Sequence, residues 1–370
     1  MRLHVKISSE INENEWNEEL SKNIGSTVYQ TYNWQKLYHE AFGSKPVFIT
    51  ITNDSGIVVG QLACLIHEKM EVTDTNPLSK KIGNLLGLGT SLWWYHGPII
   101  HNKHSEDEIL SLILSTVDKI AKENKVINIR GISPPLTQQF SHENFKKFNY
   151  KIQPWSTYII DLHQDHNTLF SSLNKKTRYD IRKAESNELE FQVVRDKNSL
   201  KKIFELKLTS KNKPDRRSTK VKNTFLNSHW NFLFEKEFEK AFLVKYKNEY
   251  IGGIVLLNFN KNTIQHFVVN SPKTNLQGGP FLTWNVIKWG IENDYSSFDV
   301  GGINPYPVLE KEKNIDFYKS KWNGKKYNYF FYTKIINRKK YYFSTAIKNP
   351  KRIISKYQRH KDNNIRKENA

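Results

Sequence analysis

The chain has almost no cysteine. Cys64 is the only one among 370 residues, so a disulfide framework is excluded and nothing requires an oxidising compartment. The start, MRLHVKISSE, has no apolar signal-peptide core. The most apolar stretch, 83–100, carries four glycines, a histidine and a proline, whereas a spanning helix needs about 20 continuous apolar residues. These absences predict a cytoplasmic protein, at most peripheral at the inner membrane face.

Acidic residues are scarce relative to basic ones, with 37 Asp and Glu against 57 Lys and Arg, and the net charge is +20. This excess predicts an anionic partner, such as nucleic acid, phosphates or an anionic membrane. Most of it lies in residues 172–222 and 336–370, each of which carries +9, so the attraction should be local. Histidine pairs at 101–104 and 163–166 lack cysteine or acidic partners at convincing spacing, so no metal site is expected.

Two halves of the chain repeat the same order of elements. A β-hairpin pattern is followed by an amphipathic helix and then by a strand that ends in Gly-Ile-Ser/Asn-Pro. Three matched pairs in one order indicate an internal duplication. The pairs are 47–66 with 241–260, 105–123 with 280–293, and 128–135 with 299–306.

Hairpins followed by helices and single strands predict an α/β protein with mixed β-sheets flanked by helices. We expect a first unit over 1–150 and a second over 151–335, which opens on a strand from Trp155 to Leu162. Residues 336–370 would form a basic helical or flexible tail. That tail could lie on anionic lipid, follow RNA phosphates or remain a solvated terminus.

Four motifs, in this order, resemble those of the FemAB-type aminoacyltransferases. They are an early aromatic motif, a basic helix, a strand ending in Phe-Asp-x-Gly-Gly, and a lysine set between aromatic residues. In this chain they read YQTYNWQKLYHEAFG (29–43), SLNKKTRYDIRKAES (172–186), SSFDVGGINP (296–305) and FYKSKWNG (317–324). The resemblance implies two tandem GNAT-like (acyl-CoA N-acyltransferase-like) lobes, with the active site in the second.

The resemblance also implies a function. Family members transfer an acyl group, often an aminoacyl group from tRNA, to an amine, and several build peptidoglycan bridges on lipid-linked or nucleotide-linked precursors. The expected acceptor is therefore a phosphate-bearing precursor of peptidoglycan or surface polysaccharide. The expected donor is aminoacyl-tRNA or acyl-CoA, with no tightly bound cofactor. Residues 201–237, interrupted by Lys213-Pro214-Asp215, look too short for the helical arm of the best-known members, which argues against an arm-mediated tRNA contact.

Two alternatives stay open beside the aminoacyltransferase. The chain could be an acyl-CoA-dependent N-acyltransferase. It could also be a non-catalytic binder of nucleic acid or of a membrane surface that uses the same fold and the +20 charge.

Lys319 is the candidate catalytic cation, because the family places a lysine there and a fixed cation can stabilise the developing oxyanion. The alternative is a solvated lysine on a short helix, with Phe317 and Trp322 in the core. Asp299 ends a strand just before Gly301-Gly302. It would either accept the amine proton or only bond to backbone amides.

The remaining candidates would contact substrate or donor. Lys175, Arg178 and Arg182 lie on one helical face, and the planar fork of arginine suits phosphate oxygens; the alternative is a solvated helix face. Gly278-Gly279 could present amides to a donor phosphate at a helix start. The other candidates for substrate contact are Trp34, Tyr38, Gly301, Gly302, Tyr318 and Trp322, with core packing as the alternative for Trp34 and Tyr38.

Overall fold

The computed structural model describes residues 2–68, 77–101, 105–136, 142–210, 219–270 and 276–348. They form two lobes of mixed α/β structure, which confirms the fold class predicted from the sequence. The first lobe contains β1 (His4–Ser8), α1 (Glu13–Ser21), α2 (Tyr32–Phe42), β2 (Lys45–Thr52), β3 (Val58–His67), α3 (Pro77–Leu85), β4 (Ser91–Trp94), β5 (Ile99–Ile100), α4 (Glu106–Glu123), β6 (Asn128–Ile132) and α5 (His142–Lys147).

The second lobe repeats this order after the connecting strand β7 (Lys151–Asp161). Its elements are α6 (His166–Ser172), α7 (Lys175–Glu185), β8 (Leu189–Val193), α8 (Lys197–Ser210), α9 (Thr219–His229), β9 (Glu239–Tyr246), β10 (Glu249–Phe259), β11 (Thr263–Asn270), α10 (Gly278–Glu292), β12 (Ser297–Ile303) and α11 (Glu310–Ser320). Two further elements follow: β13 (Lys325–Ile335) and α12 (Arg338–Lys348).

A single continuous sheet joins the lobes. Its strand order is β1-β2-β3-β4-β6-β13-β7-β12-β11-β10-β9-β8, with β5 beside β3. The strands counted inward from one edge of the sheet belong to the first lobe, and those counted inward from the other edge are their equivalents in the second lobe. The two series meet at the antiparallel pair β13 and β7. The sheet therefore has a pseudo-twofold arrangement, as expected from duplication.

The two central strands serve both lobes. Near the start of β7, Ile152 packs on the first-lobe core. Near its end, Ile160 lies in the second-lobe core. β13 runs the opposite way and ends with Phe330 and Tyr332 in the first-lobe core. β7 starts at Lys151 and β13 ends at Ile335, and the domain limits of 150 and 335 remain a prediction.

Local signals define the helices well. Thr31 caps α2 by accepting a hydrogen bond from the Trp34 amide (3.2 Å), and Gly43 ends that helix in the left-handed region at φ 68°. Asn174 caps α7 through the Thr177 amide (2.8 Å). The sequence placed two boundaries late, because β7 starts at Lys151 and α10 at Gly278.

Helices α8 and α9 pack on the body of the protein. α8 lies on β10 and β11, and α9 lies on α2 of the first lobe. The Lys213-Pro214-Asp215 interruption falls outside the described residues, as does the tail from 349 onward. Within the ranges given above, none of the helices is long and apolar enough to cross a bilayer.

Candidate active site at the wedge between β11 and β12

Two parallel strands of the second lobe pair briefly and then separate. β11 pairs with β12 only from Thr263 to Gln265, opposite Ser297 to Asp299. β12 also changes register against β7 between Asp299 and Gly302, which is a β-bulge. Diverging carboxyl ends of parallel strands form a crevice, which is where open α/β sheets bind ligands.

Lys319 reaches this wedge from the last turn of α11. Its ammonium donates a hydrogen bond to the Gly302 carbonyl at 3.1 Å. Burial lowers the pKa of Lys319 to about 8, while the nearby Asp299 carboxylate acts in the opposite direction. The side chain is therefore mainly a cation at neutral pH, held by backbone rather than by a carboxylate partner.

Gly301 and Gly302 leave room for this lysine. Gly301 has φ +85°, and a methyl group there would lie 3.2 Å from the Lys319 Nζ and 3.0 Å from the His266 Nδ1. A methyl group on Gly302 would overlap the Tyr329 hydroxyl. Gly301 is thus required both for its backbone conformation and because a Cβ would crowd its neighbours, whereas Gly302 is required only because a Cβ would not fit.

Asp299 is buried and is surrounded by donors. Its carboxylate accepts hydrogen bonds from the Thr157 hydroxyl, the Gly301 amide (2.8 Å) and the Gln265 amide group (3.0 Å). Burial raises its pKa, although these donors and Lys319 oppose that shift. Such contacts fit the structural alternative, in which Asp299 holds the bulge and so positions Gly301 beside the ammonium.

Lys321 has different contacts from Lys319, although only Ser320 lies between them in the sequence. Its ammonium lies 3.8 Å from the Asp180 carboxylate of α7 and 4.6 Å from the centre of the Tyr318 ring. Trp322 is fully buried in the second-lobe core, whereas Phe317 is 66% exposed. The alternative for Lys319, which placed Phe317 in the core beside Trp322, is therefore wrong about Phe317, because α11 turns that side chain to solvent.

The early aromatic residues lie at the junction between the lobes. Trp34 is 1% exposed, and its ring packs edge-on against Tyr29 (4.6 Å) and against Phe267 of β11 (5.8 Å). Tyr38 packs on Trp34 at 5.2 Å. Trp34 therefore joins the lobes as part of the core, and no face of its ring is open to a substrate.

The three basic residues of α7 have different surroundings. Arg178 donates hydrogen bonds to the carbonyls of Ser171 (2.8 Å) and Leu173 (2.6 Å), so its guanidinium closes the end of α6. Arg182 is exposed and lies over the Phe170 ring at 5.4 Å. Lys175 is exposed at the first helical position. Arg182 and Lys175 are accessible to a ligand, whereas Arg178 is already engaged.

Gly278 and Gly279 form the start of α10, as expected. Gln277 precedes them with φ 58°, and its side chain makes no capping hydrogen bond. Residues 271–275, which complete this loop, lie outside the described part of the chain. No cluster of three metal-binding side chains occurs among the residues that are described.

Several residues of the site escaped the sequence reasoning. The Nδ1–H of His266 donates a hydrogen bond to the Val300 carbonyl (3.3 Å), and the ring lies directly beside Gly301. Tyr329 and His96 connect Gly302 to the first lobe, with 6.3 Å between their ring centres. The only sequence signal for His266 was its position directly after Gln265 on β11. The contact between His266 and Gly301 depends on how β11 and β12 separate, which the sequence does not reveal.

The equivalent wedge in the first lobe is filled. β4 and β6 pair in parallel as far as Trp94, opposite Gly131. Trp94 is 1% exposed, and its indole donates to the Gly97 carbonyl at 3.0 Å while its ring covers Gly131. Gly131 matches Gly302 in the repeat. The Trp94 ring lies over Gly131, whereas Gly302 lies beside the Tyr329 hydroxyl, the Trp155 indole and the Lys319 ammonium.

This packing leads to a stability prediction. Gly131→Ala is expected to lower the free energy of unfolding by about 2–3 kcal/mol, because its Cβ would overlap the Trp94 ring. In a Trp94→Leu background the same substitution should cost about 1 kcal/mol or less, since a smaller side chain relieves the overlap. Urea unfolding of the four proteins measures the coupling. Equal costs in both backgrounds would contradict the packing described.

Known proteins share the fold seen here, and one family model matches part of the chain. Residues 171–319 match the acetyltransferase (GNAT) domain family. FemX has a TM-score of 0.67 at 14% identity, over 93% of this chain and 99% of FemX. A tandem GNAT protein of the clavulanic acid biosynthesis pathway has a TM-score of 0.56 at 9% identity, over 90% and 98%. The sequence matches no curated protein.

A third similar structure is the carboxy-terminal domain of a protein named as a lysylphosphatidylglycerol synthetase from Agrobacterium fabrum. Its TM-score is 0.51 at 10% identity, over 87% of this chain and 92% of that one. At such low identity these three structures show a shared tandem GNAT fold.

Proposed function

We propose that this chain, whose residues 171–319 match the acetyltransferase (GNAT) domain family and whose fold is shared with FemX, transfers an aminoacyl or acyl group to an amine of a phosphate-bearing cell-envelope precursor. The observation that carries this proposal is the Lys319 ammonium, held against the Gly302 carbonyl where β11 and β12 separate. The names of FemX and of the lysylphosphatidylglycerol synthetase are consistent with an envelope acceptor.

The geometry suggests a role for each group in the reaction. The amine nitrogen attacks the donor carbonyl carbon in the wedge, and negative charge develops on the carbonyl oxygen. The Lys319 ammonium stabilises this oxygen in a site with little water, where such an interaction is worth more than in bulk solvent. The C–O or C–S bond of the donor then breaks, and the amine proton leaves with the alcohol or thiol. Asp299 and Gly301 act by positioning the lysine.

Two donors remain for the experiment to separate. Aminoacyl-tRNA suits the basic surface of α7, which carries Lys175 and Arg182, whereas acyl-CoA suits the uncapped start of α10 at Gly278-Gly279. Both substrates are soluble, so no tightly bound cofactor is required. Either donor would place the reaction in the cytoplasm.

A donor panel tests the proposal directly. The protein is incubated with total tRNA charged with labelled amino acids, or with labelled acetyl-CoA, and with amine-bearing lipid-linked or nucleotide-linked precursors. We expect transfer of label from one donor to one acceptor, and its loss in Lys319→Met. If no pair is turned over and the chain only binds RNA or vesicles, the non-catalytic alternative is correct.

Arg182 and Arg178 should affect different measurements. Arg182→Gln is expected to raise the KM for a phosphate-bearing acceptor about tenfold, because a charged hydrogen bond to phosphate is lost, while thermal stability changes little. Arg178→Gln should instead lower the free energy of unfolding by about 2 kcal/mol, because two α6 carbonyls lose their donor. Lys183→Gln, on the same helix, is the matched control. If Arg182→Gln left KM and its salt dependence unchanged, phosphate binding by α7 would be disproved.

A further inference from the structure

A surface on the first lobe combines exposed apolar side chains with uncompensated positive charge. We call it the α3–α12 face and define it by Ile82, Leu85, Leu86, Tyr342 and Phe343. Leu85 is 87% exposed, Tyr342 59% and Phe343 51%, and the other two exceed 40%. Large apolar side chains gathered on one exposed surface usually mark an interaction site.

The two helices hold this face in a fixed arrangement. α12 packs against α3, and the Ser344 hydroxyl, 4% exposed, donates to the Leu88 carbonyl at 2.9 Å. Successive residues of a helix are about 100° apart, so Tyr342 points away from the side that Ser344 buries. The aromatic side chains are thus directed outward by a buried anchor.

The charged side chains that α3 and α12 themselves carry have one sign. Lys81, Arg338, Lys339 and Lys340 are exposed, and none forms an ion pair with another described residue. Residues 77–90 and 338–348 contain no aspartate or glutamate. The sequence beyond 348 adds seven basic and two acidic residues. An apolar centre with a basic surround is complementary to an anionic lipid surface.

We propose that the α3–α12 face docks the protein on an anionic lipid bilayer, with the aliphatic and aromatic side chains in the interfacial layer and the basic residues on lipid phosphates. RNA fits less well, since bases could stack only on Tyr342 and Phe343, whereas the exposed aliphatic side chains of Ile82, Leu85 and Leu86 suit a lipid interface. The inference goes beyond the transferase proposal and does not depend on it, because vesicle binding needs neither donor nor acceptor.

The face is separate from the candidate active site. Within β13, the Tyr329 side chain lies beside Gly302, and Ile335 ends the strand just before α12. Six residues of strand span about 20 Å. Substitutions on the face should therefore leave the wedge intact, and membrane binding and catalysis can be measured independently.

Sedimentation with vesicles tests the proposal on the full chain. Wild type should bind vesicles of phosphatidylcholine mixed with phosphatidylglycerol, and bind pure phosphatidylcholine far more weakly. Lys339→Glu combined with Lys340→Glu should lower binding at least tenfold, because each basic residue near the surface contributes about fivefold. Leu85→Ser should lower binding at low and at high salt alike.

The matched control is Lys146→Glu combined with Lys147→Glu, an exposed lysine pair on α5 of the same lobe. It should leave vesicle binding unchanged. Equal losses in both lysine pairs would overturn the proposal, as would a loss confined to Lys351→Glu with Arg352→Glu in the tail. Variants of the face that impaired binding to a single-stranded RNA oligonucleotide but not to vesicles would assign the face to RNA instead. Circular dichroism confirms that each variant is folded.

Discussion

Replacing Lys319 by methionine is expected to lower kcat by about 10²–10³-fold at neutral pH, the usual cost of removing one oxyanion donor. Methionine keeps the unbranched chain as far as the fourth heavy atom but removes the ammonium that donates to the Gly302 carbonyl. The KM for the acceptor should change little, since the charge acts on an oxygen that becomes negative only during reaction. Steady-state kinetics with the donor and acceptor that the donor panel identifies measures both constants.

Lys321→Met is the matched control for this substitution. It removes a second partly buried lysine from the same stretch, but one that is paired with Asp180 at 3.8 Å. We expect lower stability and a kcat within about threefold of wild type. Full activity in Lys319→Met, or equal losses in both variants, would rule out the oxyanion role.

The pH dependence of kcat distinguishes whether Lys319 acts as a cation or as a base. Lys319 has a pKa of about 8, so its ammonium is present below that pH and is lost above it. If the cation is required, kcat should fall as pH rises through about 8. Lys319→Arg should restore part of the activity and shift this fall to higher pH, because arginine stays charged. A kcat that rose through pH 8 would instead indicate that Lys319 acts as a base.

Gly301→Ala is expected to lower kcat by about 10²-fold. The new methyl group would lie 3.2 Å from the Lys319 Nζ and 3.0 Å from the His266 Nδ1, so one of them must move. A shift of about 1 Å in a reacting group can cost a factor of this size. The positive φ of +85° adds about 1–2 kcal/mol of backbone strain for an alanine.

Gly43→Ala separates the two effects. Gly43 has a similar φ of +68°, but a methyl group there meets nothing within 4 Å. It should show a comparable loss of stability with unchanged kcat, measured by urea unfolding and by turnover. If both glycine variants kept wild-type kcat, Gly301 would matter only for backbone conformation.

The repeated order of elements could be predicted because its signals are local. Alternating apolar residues with a turn between them define the β2–β3 and β9–β10 hairpins, and helical periodicity defines α4 and α10. Capping residues such as Thr31 and Gly43 fix the ends of α2. Each of these depends on contacts a few residues apart, which is the range over which sequence patterns are informative.

The pairing of β7 with β13 could not be predicted. It joins Lys151 with Thr333 and Ile159 with Lys325, which are more than 160 residues apart. The sequence of neither strand indicates the strand with which it pairs, because each could equally have completed the sheet of its own lobe. The shared centre of the sheet follows from the symmetry of two packed lobes.

The sequence by itself determined the fold class, the duplication and the place of Lys319 near the end of a short helix. Only the tertiary structure decided how otherwise similar residues differ. Lys319 contacts a backbone carbonyl whereas Lys321 is paired with Asp180, and Trp94 covers Gly131 whereas the equivalent Gly302 lies beside the Lys319 side chain. The physical reason is distance along the chain: periodicity and turn chemistry act over a few residues, whereas burial, charge pairing and steric fit depend on residues that only the folded chain brings together.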